Sequence, residues 1–161
     1  MDPLFTPFGF LSSGALVVAE PIASGNEMGS GTGIHRGTVR IRALDLDGGV
    51  EAVFGDFPGT EVSRTVSAGN VVARVVPFGR STLVAVGRDR VYVTTGDGFE
   101  ILAFDGRGRL VQVLRQTRER VAVTPEDVEL WIRSMLDRIT GDPELRGRLE
   151  EEYLSYPTPA C

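Results

Sequence analysis

The chain has 161 residues, 42% of them hydrophobic and 24% charged, with 20 glycines and a formal net charge of -5. That length fits one domain, or one domain with an appendage, and the composition is that of a soluble globular protein, not a disordered chain. The acidic balance argues against a non-specific nucleic-acid binder, which carries a basic patch. All 17 basic residues are arginine, which reads as codon bias in a GC-rich bacterial genome. The one cysteine, Cys161, is the last residue, so no intramolecular disulfide forms and cysteine usage leaves the compartment open. The start, Met1-Asp2-Pro3-Leu4-Phe5-Thr6-Pro7, has an acid where a signal peptide carries positive charge, and it lacks the apolar stretch of one. No run approaches the roughly 20 apolar residues of a membrane span. Localisation stays open.

In chain order, Pro7-Phe8-Gly9 precedes a first apolar strand, Leu16 to Ala19, and a Gly-rich insertion follows from Ser24 to Gly37. Strands are predicted at Val39 to Leu44 and Val50 to Phe54, joined by a turn at Asp45-Leu46-Asp47-Gly48-Gly49. A further hairpin is predicted from Glu61-Val66 and Val71-Val76 around Ser67 to Asn70. Pro77-Phe78-Gly79 then repeats the opening tripeptide. Four short strands follow: Leu83-Val86, Arg90-Thr95, Phe99-Phe104 and Leu110-Leu114. Tight turns at Gly87-Asp89, Gly96-Gly98 and Asp105-Gly108 join them into an up-and-down meander. These strands are apolar on both faces, as in a sheet sandwiched between neighbours. The end of the chain changes character. Thr124-Pro125-Glu126-Asp127 combines an N-cap, proline at the first helical position and acids in the first turn. Val128, Trp131, Ile132, Met135, Leu136 and Ile139 then follow helical spacing. Gly141 ends that helix and Asp142-Pro143-Glu144 starts a second, with Leu145, Leu149 and Tyr153 or Leu154 as its stripe. Pro157 and Pro159 end it.

A strand, Asp-Gly turn, strand unit occurs in both halves, and a repeat of about 40 residues with four strands is the signature of a propeller blade. The run Val84 to Asp97, with Ile101 to Val111 after it, resembles a blade of the six-bladed β-propellers grouped with NHL-repeat and TolB-like proteins. The resemblance covers residues 78 to 115, is weaker over 8 to 57, and stops before the helices. It implies a mainly β fold: about two antiparallel meander blades over residues 1–123, a helical appendage at 124–156 and a tail at 157–161. Two stacked blades bury two of four apolar faces, and repeat architectures usually need at least three units. Three outcomes are expected to resolve this: a fragment of a longer propeller, favoured by the abrupt start and the terminal Cys161; three copies closing six blades; or the helices and a partner covering the open faces.

Candidate chemistry is sparse. Gly29-Ser30-Gly31-Thr32-Gly33 resembles a phosphate loop but is followed by a strand, in a chain without lysine. His35, the single histidine, is expected to be an exposed loop residue, and no two-His metal site exists in one chain. Asp45-Leu46-Asp47-Gly48 looks like the start of a calcium loop, yet the later ligands are missing, and a turn role explains it and Asp105-Gly106. Glu150-Glu151-Glu152 reads as a solvated helix face, and Trp131 as the anchor of its helix on the sheet. Arg88, Arg90, Arg107 and Arg109 flank turns of one blade but are placed at ends that do not converge. No catalytic residue, metal ligand or cofactor is assigned. The function expected is a non-catalytic propeller scaffold or binding module with a protein, peptide or glycan partner. The alternative is part of a lactonase- or lyase-like propeller enzyme, with a metal in its channel and active-site residues mostly outside this chain.

Overall fold

The computed structural model describes residues 5–22, 32–67, 70–119, 121–139, 141 and 143–154. Among the described residues nine strands precede two helices: β1 (Thr6–Phe10), β2 (Leu16–Ile22), β3 (Gly33–Leu44), β4 (Val50–Ser67), β5 (Asn70–Val75), β6 (Leu83–Val86), β7 (Arg90–Thr94), β8 (Glu100–Asp105), β9 (Leu110–Arg115), α1 (Pro125–Ile139) and α2 (Pro143–Leu154). The fold is mainly β, as the turn-rich, β-branched sequence indicates, with the helices confined to the end. All strand pairs are antiparallel. They make two meanders, a curled five-stranded sheet β1-β2-β3-β4-β5 and a four-stranded sheet β6-β7-β8-β9.

The four-stranded sheet matches the strands read from the sequence nearly residue for residue. The five-stranded sheet departs from that reading in three places. Glu61 to Val66 is not a separate hairpin strand but the continuation of β4, which runs 18 residues through Pro58 and Gly59. Part of the expected insertion is strand: Gly33 to Gly37 opens β3 and lies beside the far half of β4. Ser24 to Gly31 lie outside the described residues. The third departure is the repeated tripeptide. Pro7-Phe8-Gly9 lies within β1, whereas Pro77 and Phe78 form the corner of a reverse turn closed by Gly79 N–H to the Val76 carbonyl at 2.9 Å. Phe78 takes a positive φ of 55° there, a conformation that favours glycine.

The two sheets share one core. Val17, Ala19, Ile41, Ala43, Ala52, Phe54 and Phe57 of the first meet Val91, Val93 and Phe104 of the second, with Leu11 and Ala15 at one end. A bulge sets this up. Register shifts at Phe54, between the Ile41–Gly55 and Arg42–Val53 pairs, so the inward phase of β4 slips by one residue. Phe54 and Phe57 then both turn inward and flank Phe104 edge-on, with centroids 6.0 and 6.2 Å away. Fully burying each such side chain contributes about 1.5–3 kcal/mol. At one side β1 abuts β6, where Gly9 sits against Val86. At the other, β5 and β9 are the last strands of their sheets among the described residues.

The outer faces differ. On the first sheet, Glu20 pairs with Arg42 at 2.9 Å and Asp56 with Arg40 through two bonds of 2.7 and 2.8 Å. Arg42 also stacks over Phe5. That face is therefore wet and charged. The second sheet instead leaves Leu83, Phe99, Ile101 and Leu114 exposed, in keeping with the reading that its strands are apolar on both faces.

The helices form as the sequence directs. Thr124 Oγ1 accepts the Asp127 N–H at 3.2 Å, and the Asp127 carboxylate accepts from Thr124 N–H and O–H at 2.8 and 2.7 Å. This reciprocal cap is worth about 1 kcal/mol. Those bonds, the backbone one foremost, hold the Asp127 carboxyl below its ordinary range. Ile132 and Leu136 are fully buried, and Trp131 meets Tyr153 of α2 edge-on at 5.9 Å. The aromatic contact of Trp131 is thus with the second helix, where sequence reasoning had it anchoring to the sheet. Glu150 and Glu151 are exposed, as a solvated face requires. No helix among the described residues is long and apolar enough to cross a membrane.

Candidate functional site

Three hairpin turns share one local design. Leu11–Ala15, Asp45–Gly49 and Asp105–Arg109 each close with a bond from the first N–H to the fifth carbonyl, at 2.9, 2.8 and 2.9 Å. In each, the fourth residue is a glycine with positive φ: Gly14 at 91°, Gly48 at 83° and Gly108 at 80°. This is the three-residue hairpin loop with glycine in the left-handed position. In the two later turns the leading aspartate caps its own loop. Asp45 Oδ1 accepts from Asp47 N–H at 2.9 Å and Gly49 N–H at 2.7 Å, and Asp105 Oδ1 from Arg107 and Arg109 N–H, both at 3.0 Å. The equivalence therefore runs Asp45 to Asp105 and Gly48 to Gly108. The calcium-loop likeness has a turn explanation: one Asp45 oxygen already serves two amides. Among the described residues no three of His, Cys, Asp and Glu gather as metal ligands.

Up-and-down order puts the turns after β1, β3, β6 and β8 at one end of the molecule. There the turns after β1, β6 and β8, with Glu51 of β4, border an open cleft of about 630 Å³ lined by Leu11, Ser12, Ser13, Glu51, Asp89, Asp105, Gly106, Arg107 and Arg109. Ser12 N–H donates to the Arg88 carbonyl at 2.7 Å, tying the first sheet's turn to the second's. The Ser12 hydroxyl donates to Asp89 and the Ser13 hydroxyl to Glu51 at 3.3 Å. Arg109 is held on its own turn by Asp105, through bonds of 2.8 and 2.7 Å. Two Arg109 bonds, backbone first, hold the Asp105 carboxyl below its ordinary range. The placement of the arginines needs correcting. The turns flanked by Arg88 and Arg90 and by Arg107 and Arg109 do lie at the same end, because they are first and third in a meander. Arg107 and Arg109 line the cleft together with Asp89, while Arg88 contributes its carbonyl.

The opposite end is closed by charge. Arg36 on β3 donates Nε to the Gly59 carbonyl at 2.8 Å, reaches the Thr95 carbonyl, and pairs with Asp97 at 2.8 Å. Asp97 also takes Arg80 at 3.0 Å. Arg80 donates its N–H and Nε to Glu61 at 2.8 and 2.6 Å. Thr60 and Ser81 hydroxyls meet at 2.8 Å beside them. Glu61 is only 6% exposed. Burial pushes its carboxyl up, but the Arg80 backbone and guanidinium bonds, with the charges of Arg80 and Arg36, hold it below its ordinary range. The Thr95 hydroxyl, then Arg36 and Arg80, act the same way on Asp97. This clasp was not read from the sequence, although one signal was there. Phe57, Gly59, Glu61 and Ser63 fall on one period-two face of β4, so an acid occupies an inward position.

His35 is not a loop residue. It lies on β3 opposite Val62 and is half-buried. Nine residues of strand, about 30 Å, separate it from Leu44 at the turn end of β3, the end at which the cleft serines lie. Of the Gly-rich segment, Thr32 and Gly33 are described, and they lead into a strand.

Fold and site together define the class: a two-sheet antiparallel β protein with a C-terminal helix pair and a polar cleft at the turn-bearing end. Compared with known families, curated proteins and solved structures, the chain has no match.

Proposed function

We propose that this chain is a non-catalytic binding module whose ligand site is the turn-end cleft. The observation that carries the reading is convergence. Turns from both sheets, together with the first residues of β4, bring Ser12, Ser13, Glu51, Asp89 and Arg107 to one open concavity on a rigid scaffold. Concave sites with a few fixed polar groups are where small ligands bind. Each serine hydroxyl is already oriented by a carboxylate, while Arg107 brings guanidinium donors to the same cleft. Alternating acceptors and donors of this kind suit a ligand that is both, which makes a short glycan the ligand class. The resemblance of residues 78 to 115 to a six-bladed propeller blade supports the same conclusion, since it implies binding on loop-bearing faces.

The test is titration of the ¹⁵N-labelled protein with a panel of mono- to tetrasaccharides. A binding sugar is expected to shift the amides of Ser12, Ser13, Gly106 and Arg107 and to leave those of Arg36 and Asp97 in place. Silence across the panel, or shifts confined to the other end, would overturn the assignment.

A further inference from the structure

The chain passes from the first sheet to the second through residues 76–82, between β5 and β6. This strap lies between β4 and the turn that joins β7 to β8. On the β4 side, Val76 N–H donates to the Glu61 carbonyl at 3.2 Å and Glu61 N–H to the Arg80 carbonyl at 2.9 Å. The Thr82 hydroxyl donates to the Pro58 carbonyl, and the Ser81 and Thr60 hydroxyls meet. On the other side Arg80 pairs with Asp97 at 3.0 Å. Glu61 concentrates the bonds. Besides both backbone contacts, one of its carboxylate oxygens accepts the Arg80 N–H at 2.8 Å and the other the Arg80 guanidinium at 2.6 Å. The carboxylate is buried, where charge-assisted bonds are stronger than in water.

The strap also carries strain. In its turn Val76-Pro77-Phe78-Gly79, Phe78 holds the third position at a φ of 55°, a place that favours glycine. The charged groups around Glu61 are Arg80 of the strap, Arg36 opposite it on β3 and, through both arginines, Asp97 of the β7–β8 turn. Arg74 of β5 is next on that face, opposite Ser63. His35 pairs with Val62 and so falls on the other face of the sheet. Arg36 and Arg80 both bond the same Asp97 oxygen, so neutralising the two acids would leave two guanidinium groups side by side. At the turn end the sheets are tied by Ser12 N–H to the Arg88 carbonyl, a bond with nothing to titrate. We propose that residues 76–82 are an acid-released strap: ionised Glu61 holds them on β4, and its protonation lets them lift while the shared core and the turn end stay closed. This is a local opening that precedes global acid unfolding.

Amide exchange of the whole chain, read by NMR from about pH 7 down to the onset of acid unfolding and corrected for the intrinsic pH dependence of exchange, tests it. In wild type, protection of the Glu61, Val76 and Arg80 amides is expected to fall at least about tenfold before that onset. Ser12 and the core strands are expected to keep theirs over the same range. Glu61→Gln, with circular dichroism to confirm its fold, is expected to show the low strap protection already at about pH 7 and no further dependence on pH. Loss of protection in strap and core at one and the same pH would overturn the proposal, since that is ordinary acid unfolding. So would a wild-type strap that stays protected until the core unfolds, or a folded Glu61→Gln protein with its strap protected as in wild type. The wild-type profile decides by itself if the variant does not fold.

Discussion

The two ends of this molecule solve the same problem differently. Both must hold one sheet against the other where the shared core runs out. At the clasp end, Arg36, Glu61, Arg80 and Asp97 are linked to one another, and the buried carboxylate of Glu61 receives bonds from the Arg80 backbone and guanidinium. At the turn end, backbone does most of the joining, through Ser12 to Arg88 and the close seat of Gly108 on Val53. Side chains there remain partly uncommitted. A site whose polar groups are satisfied internally stabilises, whereas one whose groups face open space recognises. On the reading proposed above, that difference separates the structural end from the end proposed to bind.

The largest effect should come from removing what both ends depend on. Phe104→Ala deletes the ring between Phe54 and Phe57 and is expected to cost about 3–5 kcal/mol, measured by urea unfolding, with the two ends loosening together in amide exchange. Gly108→Ala sharpens the contrast by striking one end. Its Cβ would lie 2.3 Å from the Val53 carbonyl, at a φ of +80°. It is expected to cost about 1–3 kcal/mol, with amide shifts confined to the turn end.

Glu61→Gln attacks the other end. Arg80 is half-exposed and can rehydrate, so about 1–2 kcal/mol is expected. The pH dependence has a definite sign. Glu61 and Asp97 are both held below their ordinary values of 4.5 and 3.8. Folded values below unfolded ones mean that the clasp stabilises above those ordinary values and fails as pH falls through the lower, folded ones. Acid unfolding of wild type should therefore steepen below about pH 4, and Glu61→Gln should flatten the profile. The smallest effect is expected from Arg107→Ala: stability unchanged within about 0.5 kcal/mol, but saccharide-induced shifts at Ser12 and Ser13 lost.

Strand positions were legible because Gly, joined by Asp in the later turns, marks the tight hairpins and β-branched runs fill the spaces between. The helix starts were legible in Thr124-Pro125 and Pro143. What misled was local resemblance without tertiary context. Gly55, Pro58 and Gly59 look like a break, yet pairing with β3 carries β4 through them, with a register shift beside each. Pro-Phe-Gly occurs twice and adopts two structures, strand and turn, because only the first copy has a partner strand, in β2. His35 lies in a segment that reads as loop until β4 pairs with it. The clasp draws residues from four separate segments and exists only once the sheets close. The cleft depends on which turns share an end, which follows from meander parity.

Closure of the two sheets of one chain around Phe104 is the central claim, and a nuclear Overhauser experiment on aromatic ¹³C-labelled protein tests it most directly. Diluting labelled chains into unlabelled ones restricts labelled-to-labelled contacts to one molecule. Cross-peaks from the Phe104 ring to those of Phe54 and Phe57 are expected within a single chain. Their absence, or their appearance only between chains, would mean that the sheets do not pack on each other within the molecule.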